Sequence, residues 1–235
     1  MSVLIEARGL VKRYGARTVV RRVDLTVAPG EIVAVVGPNG AGKTTTLEMI
    51  LGIRRPDGGR VTYRLGDPRR ETGAQLQATP FFPHLTAAEN LQLFAAFYGV
   101  RLSPARVAEL LEGCGLAGAA RTEAARLSGG QQKRLAIALA LVHRPKVLFL
   151  DEPAAALDPR ARREVRELIR RVAREGTAVV FTSHDMEEVG KLAHRVVFII
   201  DGEVRAAGSP AELLARHGAP TLEDLYLRLT EGQEV

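Results

Sequence analysis

The chain has 235 residues, 46% of them hydrophobic, enough for one sizeable core or a domain with a small subdomain. Its 33 basic residues, 28 of them arginine, outnumber 27 acidic ones; the resulting charge of +6 fits an anionic ligand, an anionic membrane face or nucleic acid and selects none of them. A lone cysteine, Cys114, excludes an internal disulfide and a cysteine metal cluster, and points to a reducing compartment.

Acid and base within the first eight residues argue against a signal peptide. In chain order, Val23, Leu25 and Val27 alternate with Arg22, Asp24 and Thr26, the pattern of a half-buried strand. EIVAVV at 31–36 is a short apolar run after Pro29-Gly30, as expected of a strand buried on both faces of a parallel sheet. Leu47, Ile50 and Leu51 follow with helical spacing up to Gly52. Thr86 with Glu89 forms a capping box, and Ser103-Pro104 and Asp158-Pro159 each pair a capping side chain with proline at the first helical position. The longest apolar run, LAIALALV at 135–142, is far short of the roughly 18 residues a spanning helix needs. KVLFLD at 146–151 and TAVVFTS at 177–183 read as two more buried strands. Between them Val165, Leu168, Ile169 and Val172 make one apolar helical stripe, which Gly176 ends. SPAE at 209–212 and TLED at 221–224 open two short helices. Strands alternating with helices predict a single α/β domain over 1–235. Its core takes in 1–79 and 143–217, a helical subdomain 80–142, and a tail helix 218–235.

Gly37, Gly42, Lys43 and Thr44 satisfy G-x-x-x-x-G-K-[ST], after a predicted buried strand and at the start of a helix. Gly37, Gly40 and Gly42 let backbone N–H groups turn inward on a phosphate, and the helix adds its positive end. Lys43 reaches the outer phosphates, and the Thr44 hydroxyl can hold Mg²⁺. LSGGQQKR at 127–134 repeats the logic without a lysine. Ser128 and Gln131 form a capping box, while Gly129 and Gly130 strip the first turn bare. A glycine costs about 1 kcal/mol against alanine inside a helix, so two in a row need a reason. Asp151 and Glu152 end one strand and His184 leaves another; strand ends of an open α/β sheet are where ligands sit. Adjacent carboxylates there repel unless a cation or a water network offsets them.

In this order GPNGAGKTT, LSGGQ, LFLDEP, LDP and FTSH resemble the ATP-binding cassette (ABC) family over nearly the whole chain. The resemblance implies a P-loop NTPase core with a mixed, mainly parallel sheet and an N-terminal antiparallel part. It implies ATP binding through Tyr14, stacked on adenine, and through Asn39, Gly40, Ala41, Gly42, Lys43, Thr44 and Thr45. Mg²⁺ is assigned to Thr44, Gln77 and Asp151, with Gln75 the alternative to Gln77. Glu152 matches the general base, His184 the contact to the γ-phosphate, and Asp158 the loop that crosses between subunits. Leu127, Ser128, Gly129, Gly130 and Gln131 match the signature that meets the ATP of a second cassette. The implied partners are that cassette and a separate transmembrane permease, placing the chain in the cytoplasm on the inner face of the plasma membrane. No nucleic-acid partner is expected. APTLEDLYLRLTEG at 219–232 and the stretch around Phe81 and Phe82 resemble the drug-resistance exporter branch, with the two phenylalanines as an anchor for the membrane chain or as subdomain core. The chain departs from the family at PAAA, 153–156, where relatives usually carry threonine or serine and then glycine. A nucleic-acid ATPase is the rival reading, supported by the arginines from Arg160 to Arg174, which Glu164, Glu167 and Glu175 counter; a cassette that regulates without transport is another.

Overall fold

The computed structural model describes residues 3–64, 66–76 and 81–231. One mixed sheet of nine strands organises them, in the order β4-β1-β2-β9-β8-β3-β7-β6-β5. β3 (Ile32–Val36), β6 (Val147–Asp151) and β7 (Ala178–Ser183) form the parallel centre, flanked by β5 (Thr72–Gln75) and β8 (Arg195–Ile200). β1 (Ile5–Tyr14), β2 (Arg17–Val27) and β4 (Gly58–Tyr63) pair antiparallel, as does β9 (Glu203–Gly208) with β8.

The central strands are apolar throughout because both their faces are covered. Ile32, Ala34 and Val36 face one core, together with Leu148, Leu150, Val179 and Phe181. Val33 and Val35 face the other with Phe149, Val180 and the β1–β2 ribbon. That second core is closed by Leu47, Met49 and Ile50 of α1 (Lys43–Ile50). The first is closed by α3 (Ala87–Phe97), α4 (Pro104–Gly113), α5 (Gly129–Leu141), α6 (Pro159–Arg174) and α7 (Met186–Leu192), with α8 (Pro210–His217) and α9 (Leu222–Thr230) at its edge. A single turn, α2 (Pro68–Glu71), precedes β5.

The caps read from sequence form. Thr86, Ser128 and Ser209 each make a complete capping box, Ser103 and Asp158 accept first-turn N–H groups, and Gly176 takes φ 98° after α6. β5 carries almost no strand signal, since TGAQ has one β-branched residue and a glycine. Gly73 is there because α5 passes against it: a Cβ would lie 2.1 Å from the Ala140 carbonyl oxygen. α5 therefore spans from the signature loop to the sheet, touching α3 at one end and β5 at the other.

Candidate functional site

β3, β6 and β7 deliver their carboxyl ends side by side, and the chemistry-bearing residues follow those ends. The loop 37–42 leaves β3 with no room for a side chain at its first and last glycines. A Cβ on Gly37 would sit 1.9 Å from the Ile199 carbonyl oxygen, and one on Gly42, at φ 96°, 2.8 Å from that of Val19. No side chain caps α1, so its first-turn amides face the loop. Lys43 is buried at 7% exposure, and its Nζ donates to the carbonyls of Gly37 at 2.7 Å and Pro38 at 3.0 Å. Burial lowers its pKa, against the pull of Glu152 and Asp151, which favour the charged form. Asn39 and Gly40 are exposed at the tip, Ala41 is buried and Thr45 half-buried.

Asp151 is 2% exposed, and its two oxygens are divided between neighbours. Oδ2 accepts from the Thr44 hydroxyl at 3.1 Å, and Oδ1 accepts from the Thr182 hydroxyl. Thr182 also accepts from the Glu152 N–H at 2.9 Å, so one β7 hydroxyl ties both carboxylate residues of the β6 end. Glu152 sits in the left-handed region at φ 50°, uncommon for a side chain with a Cβ. Its Oε1 lies 3.1 Å from Nδ1 of His184, whose side chain is exposed. The adjacent carboxylates thus point apart, one to hydroxyls and one to an imidazole. Thr182 escaped the sequence reading; the one available signal was a pair of hydroxyl residues, Thr182 and Ser183, closing an apolar strand just before His184.

Tyr14 ends β1 with its ring 42% exposed, Lys12 Nζ 5.9 Å and the Arg54 guanidinium 5.4 Å from its centroid. Gln77 lies outside the described residues. Gln75 is 1% exposed and donates through Nε2 to the carbonyl of Leu76 at 2.7 Å. The two phenylalanines divide: Phe81 packs against the larger core, while Phe82 is 47% exposed. Phe82, Phe94 and Phe97 form an edge-to-face row, with centroids 6.4 and 5.6 Å apart. The loop behind them is held by Asn90, fully buried, which accepts from the Phe82 N–H and donates to the carbonyls of Phe82, Leu85 and Thr86. Asn90 was not singled out from sequence.

The second glycine loop differs. Ser128 Oγ accepts from Gln131 N at 3.3 Å and Gln131 Oε1 from Ser128 N at 2.9 Å, which orients α5. Leu127 is buried, whereas Ser128 and Gly129 are exposed. Gly130 is needed for packing, because a Cβ there would lie 2.8 Å from that of Ala161. Gly129 has nothing within 4 Å of such a Cβ. Among the described residues, no hydrogen bond joins 127–131 to the loop 37–45 or to Glu152. Asp158 is exposed and caps α6, accepting from Arg160 N at 3.0 Å and Ala161 N at 3.1 Å; the Ala161 bond is the main cause that lowers its pKa. On α6, Arg160 pairs with Glu164 and Arg163 with Glu167 at i, i+4, the arrangement of a solvated face.

A lysine on a glycine loop after β3, with carboxylates at the end of β6 one strand beyond β7, defines a P-loop nucleotide-hydrolysing enzyme. The profile of the family described as ABC transporter matches residues 20–155. Relatives include the linearmycin resistance ATP-binding protein LnrL of Bacillus subtilis (strain 168), 36% identical over 94% of this chain and 74% of its own. The Nod factor export ATP-binding protein I of Paraburkholderia xenovorans (strain LB400) is 42% identical over 90% and 72%. A solved ATP-binding subunit of an ABC transporter superposes with TM-score 0.85 at 30% identity, covering 97% of this chain and all of that one. The dimeric bacterial ABC transporter cassette MJ0796 gives 0.76 at 30% identity, covering 88% and 98%. The chain belongs to the ABC transporter family, as an ATP-binding and ATP-hydrolysing subunit.

Proposed function

We propose that the chain powers export through a separate membrane subunit, by closing with a second cassette around ATP and opening after hydrolysis. Each ATP lies between the lysine loop of one cassette and the signature loop of the other. The supporting observation is Gly129: its missing side chain relieves no contact among the described residues, and its exposed backbone and the Ser128 hydroxyl suit an anion arriving from outside. The chain divides on this reading into a core of 1–79 and 143–217, a helical part of 80–142 and a tail of 218–235.

Tyr14 stacks on adenine, with Lys12 and Arg54 beside its ring. The amides of 39–45 cradle the phosphates, and Lys43 leaves the Gly37 and Pro38 carbonyls for the γ-phosphate. Thr44 and Asp151 offer hard oxygens 3.1 Å apart, a donor set that fits Mg²⁺, with Gln77 assigned as a third ligand. Bound there, Mg²⁺ neutralises charge on the β- and γ-phosphates. Glu152 orients the attacking water and accepts its proton, and His184, held by Glu152, contacts the γ-phosphate. Moving a two-state partner from 1:99 to 99:1 takes about 5.5 kcal/mol of differential binding, within reach of two nucleotides shared by two cassettes.

Phe82 and Phe97, exposed on either side of the half-buried Phe94, supply aromatic anchors for the membrane subunit. Among the described residues no helix is long and apolar enough to cross a membrane. The proposed membrane subunit holds the chain peripherally on the inner face of the plasma membrane. Relatives named for linearmycin resistance and for Nod factor export support the export reading, for which efflux of drugs, lipids or polysaccharide is the expected work.

The test is Glu152→Gln. Its turnover falls about 10³-fold while ATP affinity holds, and it sediments as a dimer with ATP. A variant that stays monomeric at saturating ATP refutes the shared-nucleotide reading.

A further inference from the structure

Glu152 lines a small cavity of about 60 Å³ together with Ala154, Ala155, Ala156, Arg162, His184 and Glu188. Two buried polar atoms on residues lining it have no hydrogen-bond partner among the described residues: Arg162 Nε, a donor, and Glu188 Oε1, an acceptor. Glu188 is 5% exposed, so its carboxylate is more than nine-tenths buried. The other Glu188 oxygen accepts from the Ser183 hydroxyl at 3.4 Å. Burial pushes the Glu188 carboxyl above the ordinary range, and Asp185 pushes the same way. The alanine methyls offer nothing to bond. A buried donor or acceptor atom left without a partner costs stability. The volume accommodates water, which needs about 10–15 Å³ per molecule and two or more polar partners.

The remaining Arg162 atoms tie two loops together. Nη1 pairs with Asp185 Oδ2 at 3.0 Å, and Nη2 donates to the Leu157 carbonyl at 3.2 Å. Leu157 precedes Asp158 on the loop assigned to cross to the second cassette, and Asp185 follows His184. Asp185 in turn caps α7, accepting from Glu188 N at 2.9 Å.

We propose that Arg162 and Glu188 are positioning residues that hold the Asp158 loop in register with the His184 segment. They do so through Asp185 directly, and through water bound between Arg162 Nε and Glu188 Oε1. The proposal rests on the roles given to Asp158 and His184 above. By this link, displacement of the crossing loop moves His184 relative to the γ-phosphate within one chain. The guanidinium fork is essential because one side chain must point three donors at three targets.

Arg162→Lys keeps the charge opposite Asp185 but loses the Nε–H and the simultaneous hold on Leu157. Its kcat for ATP falls about tenfold, with KM within about twofold and an unchanged melting temperature. Glu188→Leu behaves alike, and Glu188→Gln, which keeps an acceptor oxygen, restores kcat. The double variant Arg162→Lys/Glu188→Leu is no worse than either single one. Additive losses, an Arg162→Lys enzyme equal to wild type, or activity that falls only as the melting temperature falls, each overturns the proposal. A crystal structure of the wild-type chain decides the water itself, whatever its ATPase rate. Density within hydrogen-bonding distance of both Arg162 Nε and Glu188 Oε1 is expected, and a dry cavity overturns the link. Failure of the wider reading is seen separately, as hydrolysis that survives Lys43→Ala.

Discussion

The two glycine loops of this chain look alike as strings and differ as objects. In 37–42 the first and last glycines, Gly37 and Gly42, are demanded by the fold: backbone carbonyls of β8 and β2 occupy the places where their side chains would begin. The lysine they serve is buried and already bonded to its own loop. In 128–130 only Gly130 is demanded from inside, by the crossing of α5 over α6, while Gly129 faces open space. A glycine the fold requires says little about a ligand, since packing alone explains it. One that costs helix stability and relieves no contact marks a surface built for something outside the chain.

That contrast can be broken in four ways. The largest effect belongs to Lys43→Ala, which weakens ATP binding to the isolated cassette about 10³-fold. One ion pair at 4 Å and an effective dielectric of 20 is worth about 4 kcal/mol. Ser128→Ala leaves that affinity unchanged. Calorimetry with a non-hydrolysable nucleotide separates the two, and equal losses end the distinction. Next comes Gly37→Ala, which destabilises the fold by about 3 kcal/mol or more, because a Cβ cannot share space with the Ile199 carbonyl; urea titration reads it. Gly129→Ala does the opposite. The fold gains up to about 1 kcal/mol, while ATP-dependent association weakens about tenfold, measured by sedimentation. The smallest effect is at Ala156, where φ is 60° and the side chain is exposed. Ala156→Gly raises stability by about 1 kcal/mol, left-handed strain relieved less the extra entropy of an unfolded glycine. A Tm that falls instead means that alanine in PAAA packs to advantage.

Much of the molecule was readable without coordinates where the signal is local. The buried strands β3, β6 and β7 show as apolar runs, and the caps at Thr86, Ser103, Ser128, Asp158 and Ser209 show as one side chain and its neighbours. β5 did not show, because its glycine answers to α5 passing against it and not to its own neighbours in sequence. Thr182 and Asn90 did not show for a similar reason. Each is a single polar residue whose partners come from a distant strand or the loop ahead of its helix.

Sequence alone determined the chemistry on offer: a phosphate loop with its lysine, two acids at a strand end, a histidine at another, and a second bare helix start. Each is a property of a few adjacent residues, carried by backbone freedom, charge and capping. Only the tertiary structure decided which of these meet. It brought Thr44, Asp151, Thr182, Glu152 and His184 into one connected network and left Ser128 and Gly129 facing outward. Strand order, set by burying both faces of the sheet, is a long-range outcome that no short stretch of chain contains.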